Sequence, residues 1–355
     1  MKIIHCADLH LGSRMSSGLP ADKADVKKTE VRAAFGKMLD YARGCGARAV
    51  LLCGDVFDSD RPFKKDKEYF YNAVRGNPDI DFYYLRGNHD TGESYLEELP
   101  NLKTFGSDGW TTYDLGDVTV SGIEMTGGNA RSLYAQLALD KSRKNIVMLH
   151  GEPDSSAGRD KVCLPRLKNK NIDYLALGHI HAGFDGKLDD RGVYVMPGCL
   201  EGRGFDEPGV KGFYVLDTSG EGIDFSFVPD SLRVVRVLDV DISGANDVYS
   251  AVETVRGAVV CDKSDIVRVC LTGEIGFDGD GMEKDVLRML EEKCWYASVK
   301  DRTQSRLDDP SADGDLSLRG EFVRLVSGSG DIPDDMKREI VNMGLRALAG
   351  REVDR

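Results

Sequence analysis

Six histidines, His5, His10, His89, His150, His179 and His181, fall within the first 181 residues of a 355-residue chain. Five of them follow short apolar runs, in DLHLG (Asp8–Gly12), GNHD (Gly87–Asp90), LHGE (Leu149–Glu152) and GHIH (Gly178–His181). A further segment, GDVFD (Gly54–Asp58), places aspartates in the same kind of position. Asp8 and His10 are two residues apart, so in an extended loop both point to one side. Asp55 is a natural bridging carboxylate, Asn88 offers a neutral oxygen, and His150, His179 and His181 offer imidazole nitrogen. Mixed nitrogen and oxygen donors without thiolate suit Mn²⁺, with Fe²⁺ and Zn²⁺ as alternatives, better than Ca²⁺ or Mg²⁺. Two such ions about 3.5–4 Å apart clamp a phosphoryl group and acidify the water between them. Any one of these segments alone is more often a turn. Five of them, in order and each after a strand-like run, argue for one shared metal site.

Elements that would carry those loops can be read around them. Candidate strands are Lys2–Cys6, Arg48–Cys53, Ile80–Arg86, Asn145–Leu149 and Asp173–Leu177, with helical spacing between them, as in Val31, Phe35, Met38, Leu39 and Ala42. This alternation predicts an α/β layered domain, and in open α/β sheets ligand sites form beyond the carboxyl ends of strands. From Gly183 the pattern turns to strands joined by Gly- and Asp-rich turns, which predicts a second sheet stacked on the first. The expected fold is a layered β-sandwich flanked by helices, followed by a smaller α/β capping domain and a C-terminal helical tail. The expected divisions are 1–229, 230–307 and 308–355. In the last of these, DDPSADGD (Asp308–Asp315) reads as a polar linker before helices at Leu318–Val326 and Asp334–Leu348. Met336, Ile340, Met343 and Ala347 form an apolar stripe on the second helix, and Phe322, Leu325 and Val326 do so on the first.

Composition narrows the function. With 41% hydrophobic and 30% charged residues the chain reads as soluble and globular. No apolar run approaches the roughly 18 residues of a membrane span. The start, MKIIHCADLH, lacks the apolar stretch of a signal peptide, so a cytoplasmic location is expected. Eight scattered cysteines without a CxxC pair argue against a disulfide scaffold. A formal net charge of -13, from 60 acidic and 47 basic residues, argues against broad non-specific nucleic-acid binding. It leaves room for a local phosphate site charged by metal ions. Basic clusters at Arg61–Lys67, Lys141–Lys144 and Pro165–Lys170 read as solvated surface when each is taken alone.

The order DxH, GD, GNHD, H, GHxH resembles the metallophosphoesterase superfamily over roughly residues 1–205. Within it, KIIHCADLHLG, GDVFDSDRP and PGCLEGRGFDEPGVKGFYVLD are similar to SbcD-type bacterial DNA-repair exonucleases. EFVRLV and GLRALAGREV resemble the YhaO-type branch. One departure is that GHIH runs into Ala182–Gly183, where many relatives carry a basic residue and proline. The resemblance implies one metal held by Asp8, His10, Asp55 and His181, and a second held by Asp55, Asn88, His150 and His179. It also implies that His89 hydrogen-bonds the scissile phosphate and assists the leaving oxygen, with Asp90 orienting its ring.

His5, inside the first strand, is expected to be buried and hydrogen-bonded. Arg203, in a Gly-rich loop, and Arg61, Lys64 and Lys65 are candidate phosphate contacts, while Arg86 reads equally as a strand-end side chain facing solvent. The expected activity is metal-dependent DNA exonuclease and endonuclease cleavage in repair. The expected partners are DNA, an SMC-like ATPase and a second copy of the chain, with no membrane. The alternatives are a phosphatase or small-molecule phosphodiesterase of the same superfamily, and a binding subunit whose last helices dock on an ATPase. The unit after Pro229 counts against the first alternative and the complete donor set against the second.

Overall fold

The computed structural model describes residues 1–15, 18–90, 97–305 and 317–348. The chain divides into two compact units, Met1–Val234 and Val235–Arg355. In the first, the order is β1 (Lys2–Cys6), α1 (Ala21–Cys45), β2 (Ala47–Cys53), α2 (Lys64–Arg75), β3 (Asp81–Leu85), β4 (Leu102–Thr104), β5 (Thr111–Leu115), β6 (Val118–Gly122) and α3 (Leu133–Gln136). It continues through β7 (Lys144–Met148), β8 (Glu152–Asp154), β9 (Lys161–Cys163), α4 (Leu164–Leu167), β10 (Tyr174–Ala176), β11 (Phe184–Lys187), β12 (Val193–Met196), β13 (Gly212–Asp217) and β14 (Asp224–Pro229).

Two six-stranded sheets result, ordered β14-β13-β1-β2-β3-β4 and β11-β12-β10-β7-β6-β5. Strands β1 to β4 run parallel, as do β6, β7, β10 and β12. Past the exposed Arg48, both faces of β2 are buried, so AVLLC (Ala49–Cys53) reads as a continuous apolar run. Alternation then sorts its side chains: Ala49, Leu51 and Cys53 join Ile146, Met148, Tyr174 and Ala176 in one core. Val50 and Leu52 pack instead with Phe35, Met38 and Leu39 of α1 and Phe70 of α2. The layered sandwich follows the sequence expectation, but its sheet membership differs. Strands β13 and β14 complete the first sheet, β13 antiparallel to β1 and β14 antiparallel to β13, while β7 and β10 belong to the second. Burial on both faces gives β1, β7 and β10 the same apolar character, so pattern alone could not assign them to sheets.

The second unit holds β15 (Val235–Asp241), α5 (Val248–Ala258), β16 (Ile266–Thr272), β17 (Glu274–Ile275), α6 (Met282–Glu291), β18 (Tyr296–Asp301), β19 (Gln304–Ser305), α7 (Leu318–Ser327) and α8 (Asp334–Leu348). Its three-stranded parallel sheet, β15-β16-β18, packs on α5 and α6. Asp247 caps α5 by accepting the Ser250 backbone N–H at 2.7 Å. The helices α7 and α8 pack together over Val323, Val326 and Val341, and α8 also touches β19. Met336, Met343 and Leu325 of the expected stripes stay exposed. The expected linker Asp308–Asp315 lies outside the described residues. All eight cysteines are free. Among the described residues no helix is long and apolar enough to cross a membrane.

Candidate metal centre

Every expected donor sits just past the carboxyl end of a parallel strand: Asp8 and His10 after β1, Asp55 after β2, Asn88 after β3, His150 after β7, and His179 and His181 after β10. The first two loops are laced together, the Asp8 N–H donating to the Gly54 carbonyl at 3.0 Å and the His10 N–H to the Asp55 carbonyl at 2.9 Å. Asp8, His10, Asp55 and His179 all have positive φ, at 52°, 47°, 51° and 111°. Non-glycine residues pay strain there, and such strain concentrates at functional sites. Two glycines are forced by close approach. A Cβ on Gly54 would stand 2.0 Å from the His150 ring, and one on Gly87 would stand 2.2 Å from the Asp55 carboxylate.

Three clusters of possible donors lie within 4.8 Å, Asp8 with His10 and His181, Asp55 with His150 and His179, and at the rim His10 with Asp58 and His89; the first two contain the expected donors. Nε2 of His10 and Nε2 of His181 face one another at 3.0 Å. Their opposite nitrogens face carboxylates, His10 Nδ1 at 2.9 Å from Asp58 and His181 Nδ1 at 2.7 Å from Glu207. Glu207 accepts from His181 Nδ1 and fixes that proton, while the charge of Asp58 favours the His10 proton on Nδ1 without a hydrogen bond between them, so the two Nε2 lone pairs confront each other across 3.0 Å. A shared cation satisfies both. In the other group, His150 Nδ1 donates to the Cys53 carbonyl at 2.9 Å, which aims Nε2 at Asp55 (3.4 Å) and Asn88 (3.0 Å). His179 Nδ1 lies 3.1 Å from the same Asn88 oxygen. The residues present therefore fit a pair of divalent ions.

The local field agrees. Burial raises the Asp8 carboxyl to about 6, with Asp55 adding to the effect. Burial alone would raise Asp55 too, but the hydrogen bond and charge of His150, with His10 behind them, hold it well below the usual range. Burial would lower His150, yet Asp55 and then Asp8 outweigh it and push it up to about 9. A field that draws a proton there also draws a metal cation. Burial lowers His10 to about 4, against the pull of Asp58, so its ring is neutral at physiological pH.

The remaining candidates are placed as follows. His89 is exposed at the rim, its ring centroid 5.1 Å from that of His10 and its Nδ1 3.3 Å from the Asp58 carbonyl. Asp90 does not reach that ring. Its buried carboxylate accepts the Val56 N–H (2.9 Å), the Tyr84 hydroxyl (2.5 Å) and the Gly87 N–H (2.5 Å), tying the second and third loops together. Arg86 does not face solvent but pairs with Glu124 through two 2.6 Å contacts. Arg203 is held between Glu207 (2.6 Å) and Asp58 (3.0 Å), the two carboxylates that orient His181 and His10. Arg61, Lys64 and Lys65 are exposed around the first turn of α2. His5 is fully buried, taking the Tyr174 hydroxyl at 2.9 Å and donating to the Leu177 carbonyl at 3.0 Å. Sequence reasoning missed Glu207 and Asp58 as orienting groups; both lay within quoted segments, with no spacing to mark them. It also missed Lys27, a fully buried ammonium paired with Glu201 and Glu30.

With this geometry in hand, comparison with known proteins is decisive at the family level. The calcineurin-like phosphoesterase family profile matches residues 1–183. The chain belongs to that family. As a calcineurin-like phosphoesterase it is a metal-dependent enzyme of a family that uses a dinuclear centre. It is 27% identical to the DNA double-strand break repair protein Mre11 of Aeropyrum pernix, over 71% of this chain and 66% of that one. The Mre11 of Sulfolobus acidocaldarius is 26% identical over 81% and 78%. The uncharacterized metallophosphoesterase YhaO of Bacillus subtilis is 27% identical over 77% and 72%.

Proposed function

We propose that this phosphoesterase is a DNA nuclease that hydrolyses phosphodiester bonds in repair, from the cytoplasm. The observation that carries the reading is the pair of convergent donor groups with His89 exposed beside them. Likeness to Mre11 proteins, which extends beyond the matched family segment, favours DNA as the substrate. In this reading Asp8, His10, Asp55 and His181 hold one ion, and Asp55, Asn88, His150 and His179 hold the other. Mn²⁺ suits the mixed donors best, with Fe²⁺ and Zn²⁺ next. When bound, the ions supply positive charge at the phosphoryl oxygens and a readily deprotonated water. The Asp58 carbonyl accepts from His89 Nδ1, which leaves Nε2 facing outward; as the imidazolium, protonated on both nitrogens, His89 would give its Nε2 proton to the departing oxygen and keep the one on Nδ1. Asp90 fixes the loop on which His89 stands.

The exposed Leu325, Met336 and Met343 of α7 and α8 support docking of an SMC-like ATPase in the helix-in-groove manner. A Mn²⁺-dependent assay on labelled duplex DNA, run beside p-nitrophenyl phosphate and bis-p-nitrophenyl phosphate, tests the activity. Cleavage of duplex and bis-ester is expected. Turnover of the monoester alone would replace this reading with a phosphatase.

A further inference from the structure

The second sheet has a gap in its ladder where it launches His179 and His181. In a parallel pair, alternate residues of a strand turn both backbone groups toward the same neighbour. Along β10 the odd-numbered residues face β12: the Val193 N–H donates to the Asp173 carbonyl at 3.2 Å, and the Leu177 N–H to the Val195 carbonyl at 3.0 Å. With Ala176 opposite Val195, the next donor in this register, to the Leu177 carbonyl, is residue 197. That residue is Pro197, which has no N–H. On the β7 side the ladder continues unbroken, from the Leu149 N–H to the Ala176 carbonyl and from the Gly151 N–H to the Gly178 carbonyl, both at 3.0 Å. Leu177 is fully buried, so its carbonyl must find another donor or carry the cost of lacking one.

His5 supplies that donor from the other layer. Its ring is fully buried on β1, in the first sheet, and Nε2 donates to the Leu177 carbonyl at 3.0 Å. A carbonyl only accepts, so the ring proton is on Nε2, and Nδ1 accepts from the Tyr174 hydroxyl at 2.9 Å. One ring thereby grips β10 at its first residue and just past its last. Metal-site backbone follows both partners, Asp8 three residues after His5 and His179 two after Leu177. The fit between them is tight. A Cβ on Gly178 would stand 1.9 Å from the Cys53 carbonyl, and the His179 N–H reaches the Asp8 carboxylate oxygens at 3.0 and 3.1 Å.

We infer that His5 is a positioning residue for the metal centre: it stands in for the N–H that Pro197 lacks, and so fixes the His179–His181 segment against the loop of Asp8 and His10. The inference rests on the assignment of those donors to two ions. His179 and His181 belong to different donor groups, so loosening their segment weakens both sites together, whereas Glu207 bears on one.

Full-length His5→Leu and His5→Asn, neither able to donate to Leu177, are stripped of metal and compared with wild type by amide hydrogen exchange and by Mn²⁺ titration calorimetry. We expect exchange over residues 178–181 to speed up about tenfold while β2 is unchanged. Both Mn²⁺ affinities should fall about tenfold, and kcat on bis-p-nitrophenyl phosphate should fall about as much at an unchanged KM. His5→Gln keeps an N–H for Leu177 and should stay near wild type. Pro197→Ala, added to either damaged variant, returns the missing ladder N–H and should recover most of the loss; if His5→Leu does not fold, His5→Asn carries the comparison. Wild-type exchange and affinities in both damaged variants overturn the inference. So does a loss confined to one ion, or a loss that His5→Gln shares and Pro197→Ala does not repair, which would make His5 a filler of core space. Fewer than two Mn²⁺ bound by the wild type overturns the ion assignment instead, and the exchange arm with its Pro197→Ala rescue still decides the role of His5.

Discussion

Glu207→Gln separates the two donor groups from one another. Glu207 is 4% exposed and anchors a small frame. Its Oε1 accepts from His181 Nδ1 at 2.7 Å and from Arg203 Nε at 2.9 Å, while Oε2 accepts the Arg203 backbone N–H at 2.8 Å. Burial alone would raise its carboxyl, but the hydrogen bonds from His181 and Arg203 hold it well below the usual range. Gln preserves the volume, removes the charge and turns an amide N–H₂ toward donors that want an acceptor. His181 then loses the contact that fixes its proton on Nδ1, and Arg203 keeps only Asp58. Removing an outer partner of a metal-binding histidine costs about 10–100-fold in metal affinity, or about 1.4–2.7 kcal/mol. The Asn88, His150 and His179 group is untouched, because His150 leans on the Cys53 carbonyl instead. Calorimetric titration of the stripped protein with Mn²⁺ should therefore show one affinity falling by that factor and the other holding. Equal losses at both sites, or none at either, would refute this division of labour.

Other substitutions test other links. His89→Gln should leave about two ions per chain by elemental analysis while lowering turnover by about 10²–10⁴-fold, whereas Asp55→Asn should lose metal as well. Lys27→Met strands Glu201 and Glu30 without their buried partner, and urea unfolding should show a loss of about 3–5 kcal/mol; a neutral result would mean the pair is dispensable. Burial lowers His5 to about 3 from an ordinary 6.5, so the unfolded chain binds a proton that the native state refuses. That contribution is complete above pH 6.5 and is lost as pH falls toward 3, at about 1.4 kcal/mol per pH unit. Metal-free His5→Gln should show a flatter fall in stability over that window, and an unchanged slope would remove His5 as the cause.

The loops that bring the candidate donors together were legible because each carries its own local signature. A glycine that a neighbouring side chain forbids from being anything else precedes Asp55 and Asn88, and the strand before each loop is apolar on both faces. The β1 span and the helix spacing in α1 were legible for the same reason, since burial writes itself into residue type. Sheet membership was not, because β7 and β10 look like β1 and β2 until pairing is known. Nor was the frame around Arg203: a carboxylate that orients an imidazole some 26 positions away leaves no periodic trace. The tail showed its stripes but not the face the helix pair buries: Val326 and Ile340 lie on the stripes and pack there, yet Val323 and Val341, off the stripes, are buried with them, while Leu325, Met336 and Met343 stay exposed.

The donors divide between the two layers of the sandwich. Asp8, His10, Asp55 and Asn88 ride on one sheet, and His150, His179 and His181 on the other. An ion bound across them is thus a rivet between layers, and its binding energy is also cohesion of the fold. At a hundred times its dissociation constant, one such ion adds about 2.7 kcal/mol to stability. The stability of this protein would then follow the supply of the metal it binds. Scarcity would silence the enzyme and, by the same loosened seam, lower the stability of its fold.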